Sequence, residues 1–302
     1  MRQRKIKNLE EKMECLSELT VVDSESVKGR WRELFTGQGA APGETGLPVE
    51  TALMGETELP VETALTGETA LPVESAHDEA GPYGTAAASE SADDTGEERP
   101  LLYAEVGCGK GQFIKNMALI PPDREYVAFE GNKSVVYHAM QKADESSLTN
   151  IRFVTDYIDM MDEFFDDGEL DGIYLNFSDP WPKYKHEKRR LTAGKRFDSY
   201  VKAVKSGGFI EFRTDNDDLF DYTMDEVMEQ SGISIIAVTR DLHGEIQETA
   251  SRIDLAALTD CAFEDGADEK LTTLEDLSVT SEYEDKFSSQ GKSINFIHVK
   301  VI

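Results

Sequence analysis

The chain is 302 residues long, room for one large domain or two modest ones, and its 60 Asp and Glu outnumber 31 Lys and Arg for a formal net charge of −29. No apolar run approaches the ~18 residues that span a membrane, and the basic start (Arg2, Arg4, Lys5, Lys7) lacks the apolar stretch of a secretory signal. Cys15, Cys108 and Cys261 have neither disulfide nor metal-ligand spacing, which points to a soluble protein of the reducing cytoplasm without a bound metal.

The acidity is local. Residues 37–99 hold fourteen acids against one Arg, and residues 244–278 hold ten acids against two bases, leaving −8 of the −29 for the other 204 residues. Within that remainder, residues 183–196 sum to +6. An acidic total therefore does not exclude a nucleic-acid partner, because phosphates are met where Lys and Arg cluster.

Residues 1–36 read as a basic N-terminal arm. Residues 37–99 contain a twelve-residue repeat: GETGLPVETALM from Gly43, GETELPVETALT from Gly55 and GETALPVESAHD from Gly67. Each unit is rich in Gly, Pro and Glu and has too little apolar surface to stack, so this insertion is expected to be disordered. From Pro100 the texture becomes alternating strand and helix: strands at 101–106, 126–129, 151–154, 172–177 and 209–212, helices at 112–119 and 134–143, and late β-rich runs at 233–239 and 294–301. That alternation predicts an α/β fold, a Rossmann-like, doubly wound, mostly parallel sheet that binds ligands at the carboxyl ends of its strands.

The first such strand empties into Glu105-Val-Gly-Cys-Gly-Lys-Gly111. Gly107 and Gly109 allow close backbone approach to a ligand, and Glu130, ending the next strand, is suited to ribose hydroxyls. The spacing G-x-G-x-G and the carboxylate before it do not suit a pyrophosphate. They suit a ligand with ammonium and sulfonium groups, such as S-adenosylmethionine. Asp156 and Asp159, after the third strand, are both candidates for the adenine amino group.

The fourth strand runs into Ser178-Asp179-Pro180-Trp181-Pro182, where two prolines stiffen a loop carrying a carboxylate and an indole. Asp179 is suited to the two N–H donors on the guanine edge and Trp181 to stacking on a base. Lys183, Lys185, His186, Lys188, Arg189 and Arg190 follow as candidate phosphate contacts. Thr214-Asp215-Asn216 ends the fifth strand and borders the same cleft, and Ser281-Glu282-Tyr283-Glu284 lies in the last helix-like stretch.

Together EVGCGKGQF (105–113), FE (129–130), NFSDPWPKYKHEKRRL (176–191), FRTDN (212–216), DLH (241–243) and EYEDKF (282–287) resemble the bacterial tRNA (guanine-N7)-methyltransferase family. The resemblance spans residues 100–243 and 279–302, with KGRW at 28–31. It implies a class I S-adenosylmethionine-dependent methyltransferase with a seven-stranded sheet over 100–302, acting on guanine 46 in the tRNA variable loop. By it, Glu105, Gly107, Gly109, Glu130, Asp156 and Asp179 match cofactor-binding positions, and Asp179 is also catalytic. Lys183, Asp215, Ser281, Glu282, Tyr283 and Glu284 match substrate-binding positions, and Lys185, His186, Glu187, Lys188, Arg189 and Arg190 an RNA-interacting stretch. The chain departs from the family where Tyr157 stands in place of an Asp, with Asp156 just before it, and where Ser281 replaces Thr. The 37–99 repeat and the lengthened 244–278 segment are also foreign, and both are expected to be surface excursions.

Guanine N7 has an exposed lone pair and no proton, so methylation needs alignment and stabilisation of a cationic purine rather than a strong base. Two rival readings stand beside this one. One is a methyltransferase for another RNA, a protein or a small molecule, and the other is a non-catalytic RNA-binding protein. The sequence leaves monomer and homodimer open.

Overall fold

Runs of β-branched and aromatic residues punctuated by Gly and Asp build one sheet, and amphipathic helices cover it. The structure, a computed structural model, describes residues 6–36, 99–120, 123–252 and 274–302. The repeats of the acidic insertion and residues 253–273 of the second acidic segment lie outside the described residues.

The strands are β1 (Thr20–Val21), β2 (Leu101–Val106), β3 (Arg124–Phe129), β4 (Ile151–Val154), β5 (Leu170–Asn176), β6 (Val204–Thr214), β7 (Ile233–Thr239) and β8 (Asn295–Val301). The helices are α1 (Leu9–Glu14), α2 (Gln112–Ala118), α3 (Lys133–Glu145), α4 (Gly194–Ala203), α5 (Asp217–Glu229), α6 (Leu242–Arg252), α7 (Leu274–Ser278) and α8 (Glu282–Ser288). The sheet order is β1-β4-β3-β2-β5-β6-β8-β7. Pairing is parallel from β1 through β6, while β8 runs antiparallel to both β6 and β7. Seven strands were expected. The eighth, β1, comes from the N-terminal segment and adds to the β4 edge, Thr20 opposite Phe153 and Val21 opposite Val154.

The chain winds outward from β2 in both directions, through β3 and β4 on one side and β5 and β6 on the other. The carboxyl ends of β2 and β5 therefore flank the switch point where open α/β sheets bind ligands. The period-two alternation of strand side chains sorts the two faces. Leu102, Ala104, Ile173, Leu175, Ile210 and Phe212 join the cluster that includes Phe197 and Tyr200 of α4 and Leu219 and Phe220 of α5. Tyr103, Tyr174 and Phe209 join the opposite cluster with Phe113 of α2 and Val136 and Met140 of α3.

The N-terminal segment belongs to this core rather than trailing from it. Trp31 has no solvent exposure, donates its indole N–H to the Phe164 carbonyl at 2.8 Å and stacks on Phe165 at 5.1 Å. Glu169 accepts the backbone N–H groups of Gly29 and Trp31. Arg32 reaches the fully buried Asp171 at 2.6 Å, which also takes Lys205 at 2.8 Å and the Leu102 N–H at 2.6 Å. One carboxylate thus ties the N-terminal segment to β2 and the start of β6. Residues 274–278, expected on the surface, are also partly in the core: Asp276 is buried and pairs with Arg124 at 2.5 Å. No helix among the described residues is long and apolar enough to cross a membrane.

Replacing Trp31 with Ala removes a fully enclosed indole and its hydrogen bond, and should cost about 3–5 kcal/mol. Urea unfolding of the full chain measures it; a loss below about 1 kcal/mol would mean that the N-terminal segment is not part of the cooperative core.

Candidate active site

The last residues of β2 and β5 meet across the switch point. Asn176 donates from its side-chain amide to Glu105 Oε1 at 3.0 Å, and both residues are buried. The other carboxylate oxygen, Glu105 Oε2, is buried without a hydrogen-bond partner among the described residues, as is Asn176 Oδ1. Burial pushes the Glu105 carboxyl up to about 7, against the hydrogen bond from Asn176 and the charge of Arg213, which pull it down. A buried acceptor left open costs free energy unless a ligand donor meets it.

The glycine loop supplies the space. Gly109, at φ +58°, has nothing within 4 Å of where a Cβ would sit, so its backbone faces open volume. Gly111, at φ +69°, begins α2 so close to α3 that a Cβ would lie 2.5 Å from that of Ala139. Glycine is the residue that combines that turn with that packing. The pocket here is lined by the loop, by Glu105, Asn176 and Phe177, and by Ser281, Glu282 and Tyr283 of the α8 start. Glu130, at the end of β3, accepts the Asn132 N–H at 2.8 Å. Burial raises its carboxyl above the usual range, opposed by backbone N–H groups of Asn132 and Gly109, and the charge of Asp179 raises it further. The negative groups Glu105, Glu130 and Asp179 therefore press on one another around an open cradle. That donor set fits a cationic ligand with hydroxyls, and it is poorly suited to a phosphate.

Beyond Asn176 the chain turns sharply. Phe177 and Trp181 both adopt left-handed backbone, at φ +50° and +39°, and bracket Ser178, the exposed Asp179 and Pro180. The expected cationic run then forms a 3₁₀ turn over Tyr184–Arg189. Lys183, Tyr184, Lys185, Lys188 and Arg189 are exposed, and His186 and Glu187 half-buried. Arg189 lies over the Trp181 ring at 4.9 Å and His186 meets its edge at 5.6 Å. Arg190 points elsewhere: it donates to the carbonyls of Pro180 at 3.0 Å and Trp181 at 3.3 Å.

The α8 start closes the other side. Ser281 caps the helix by accepting the Glu284 N–H at 3.1 Å. Glu282 receives Lys110 of the glycine loop at 3.1 Å and Lys142 of α3; burial alone would raise its carboxyl, but those two hydrogen bonds hold it below the usual range. Tyr283, half exposed, stacks with Phe177 and Phe287 at 6.5 and 6.3 Å. Glu284 does not face the pocket opening. It has no exposure and pairs with the equally buried Arg213 at 3.4 Å and with His243 at 3.0 Å. Asp215, at the end of β6, is held by Lys292 at 2.7 Å.

After β4, Asp156 and Asp159 part company. Asp159 is bound to Arg196 at 2.7 Å, whereas exposed Asp156 accepts only the adjacent Tyr157 N–H, and the Tyr157 ring lies against Gly131 beside Glu130. Sequence reasoning passed over Asn176, Lys110, Lys142 and Arg213. The signal for Asn176 and Arg213 was parity: both share a sheet face with Glu105, in positions that an apolar strand would give to a hydrophobe. Among the described residues no group of three or more His, Cys, Asp or Glu could hold a metal ion.

Residues 99–297 match a family whose description is "Putative methyltransferase". The chain is 34% identical over 205 residues to a tRNA (guanine-N(7)-)-methyltransferase of Mesoplasma florum, covering 66% of this chain and 80% of that protein. It is 36% identical over 207 residues to the Lactococcus lactis subsp. cremoris enzyme of the same name (68% and 82%) and 37% over 199 residues to that of Bacillus subtilis (66% and 79%).

An acid whose pKa is raised in the folded state holds its proton after the unfolded chain has released it, so stability falls as pH rises between the two values. For Glu105 that window runs from about 4.5 to about 7. Without ligand, Glu105→Gln should therefore be more stable than the parent above pH 7, by on the order of 3 kcal/mol, with the gap closing toward pH 4.5. Urea titrations at pH 5, 6, 7 and 8 read this out; a gap independent of pH would return Glu105 to an ordinary carboxyl.

Proposed function

We propose, for a chain that belongs to the tRNA (guanine-N7)-methyltransferase family, that it methylates N7 of guanine 46 in the variable loop of tRNA, with S-adenosylmethionine as methyl donor. The observation that carries this reading is the juxtaposition at one sheet edge of an acid-lined glycine cradle, the Asp179–Trp181 loop and an exposed cationic turn.

The residues fit the donor. Glu105 offers an unpartnered buried oxygen to a cationic group, Glu130 suits ribose hydroxyls, and the backbone at Gly109 leaves room for close approach. Asp156 is the acid for the adenine edge, since Asp159 is occupied by Arg196. When bound, S-adenosylmethionine supplies a methyl on sulfonium: the N7 lone pair forms the new N–C bond as the S–C bond breaks, leaving a thioether and a cationic purine.

Asp179 orients the guanine edge and offsets the positive charge that develops on the ring. No general base is required, because N7 carries no proton. Lys183, Lys185, His186, Lys188 and Arg189 meet the phosphates, and the exposure of the four cations supports that role. Asp215 and the Ser281–Tyr283 rim border the nucleotide, and Glu284 acts from beneath by holding the rim. The reaction belongs where tRNA is found, which assigns the chain to the cytoplasm.

Nucleoside mass spectrometry on a tRNA transcript incubated with protein and S-adenosylmethionine should reveal 7-methylguanosine, lost when guanine 46 is replaced. A modified nucleoside that survives the replacement would refute the position, and none at all would refute the substrate. Asp179→Ala should lower kcat by on the order of 10²-fold while changing cofactor affinity far less. Equal turnover would remove Asp179 from the mechanism.

A further inference from the structure

Arg190 follows Lys188 and Arg189, which face solvent, yet its guanidinium is turned inward. Its Nε donates to the carbonyl of Pro180 at 3.0 Å and its Nη2 to the carbonyl of Trp181 at 3.3 Å. Those oxygens belong to the two peptide planes on either side of the Trp181 Cα. The angle between those planes is what φ and ψ of Trp181 describe, so one planar fork fixes both.

Trp181 needs such a fixture. A bulky residue at φ +39° is in sparsely populated backbone, which costs on the order of 1–3 kcal/mol and persists where the surroundings over-determine it. Pro182 adds to the demand, since a residue before proline is pushed toward extended backbone. Without the fork, the loop carrying Asp179 would relax toward that form and move both the carboxylate and the indole.

The fork is itself supported. The Arg190 guanidinium lies on the Tyr222 ring of α5 at 4.1 Å. The Tyr222 hydroxyl hydrogen-bonds Glu226, which in turn accepts the Gly194 N–H at the start of α4 at 2.7 Å. Arg196 fixes the Arg190 backbone by donating to its carbonyl at 3.0 Å. Thus two helices on the sheet's far side from α8 set the conformation of the Asp179 loop.

We propose that Arg190, seated on Tyr222, is a positioning residue that holds the strained Asp179–Trp181 loop for methyl transfer, and not one of the phosphate contacts of the run in which it lies. This rests on the methyltransferase reading for its kinetic part, while its conformational part stands without it.

Arg190→Lys separates the two roles, because lysine keeps the charge but cannot fork across two carbonyls. The expected result is a fall in kcat of about 10- to 100-fold at saturating tRNA, with the salt dependence of tRNA affinity unchanged. Tyr222→Leu, which leaves every cation in place, should do the same, and the double variant should be no worse than either alone. Lys185→Met is the contrast: weaker tRNA binding with a salt slope shallower by about one. The protein has two tryptophans, and Trp31 is fully enclosed, so acrylamide quenching reports Trp181; it should rise in Arg190→Lys and in Tyr222→Leu. Near-parental kcat and quenching in Arg190→Lys would overturn the proposal, as would a shallower salt slope in Arg190→Met with kcat retained. Should a position-190 variant fail to fold, Tyr222→Leu decides: kcat and quenching like the parent's overturn the proposal. A parent protein that forms no 7-methylguanosine would sink the substrate reading alone, and the quenching comparison would then decide for or against the brace.

Discussion

A guanidinium with no contact to water can sit inside a sheet only if the surrounding chain brings it anions and acceptors, since an unmatched buried charge costs several kcal/mol. Arg213 on β6 is such a group. It draws Glu284 from α8, the Val279 carbonyl at 2.7 Å and the Asp276 carbonyl, with Glu211 two residues away on its own strand. Phe113 and Phe296 enclose it at 5.3 and 5.9 Å. The segment from α7 to α8 is thus drawn over the sheet by Arg213, with Arg124 holding Asp276 beside it. The pocket rim inherits that place, because Ser281, Glu282 and Tyr283 immediately precede Glu284.

The same face carries the other buried polar groups. Glu105, Asn176 and Glu211 alternate with tyrosines and phenylalanines at period two, and His298 meets Glu211 at 3.0 Å across the β6–β8 pair. Burial on this side is therefore partly ionic, whereas the opposite face is packed with aliphatic and aromatic residues against α4, α5 and the N-terminal segment. This asymmetry gives the switch point a low-dielectric floor with an open carboxylate oxygen, next to a surface of exposed cations. A small cationic ligand and a large polyanion can then approach the same edge without competing for the same charges.

How much of this was legible in the sequence differs by element. The strands at 101–106, 151–154 and 233–239 were bounded as observed, because each is a short run rich in apolar and β-branched residues. Helices α4 and α5 went unassigned. GKRFDSYVKA and DDLFDYTMDEVME are so charged that their apolar stripes, Phe197 with Tyr200 and Leu219 with Phe220 and Val227, do not stand out in a linear reading. Glu105 and Glu130 stood out as candidate acids because each lies at the carboxyl end of a strand. The roles within KYKHEKRR were not separable, since a string of cations does not say which one turns inward; that depends on Tyr222, thirty-two residues later. The pairing of Glu284 with Arg213 was hidden for a related reason: a buried ion pair and an exposed pair look alike until the strand faces are known.

A methylation at guanine N7 asks little of acid–base chemistry and much of geometry, because the nucleophile already has its lone pair and the methyl must lie in line. Much of the polar architecture here follows that demand. The groups beneath the site, Arg213, Glu284, Glu211 and Asn176, are held in buried pairs. The residues forced into left-handed backbone, Phe177 and Trp181, stand on either side of Asp179, and each is anchored from a different layer. The Phe177 ring is packed against Tyr283 and Phe287 of α8, and the carbonyls flanking Trp181 are gripped by Arg190 against α5. The loop is thereby suspended between the two faces of the sheet. A shift of either layer would be felt at the Asp179 carboxylate, which makes this strained loop the point where packing on the two faces converges.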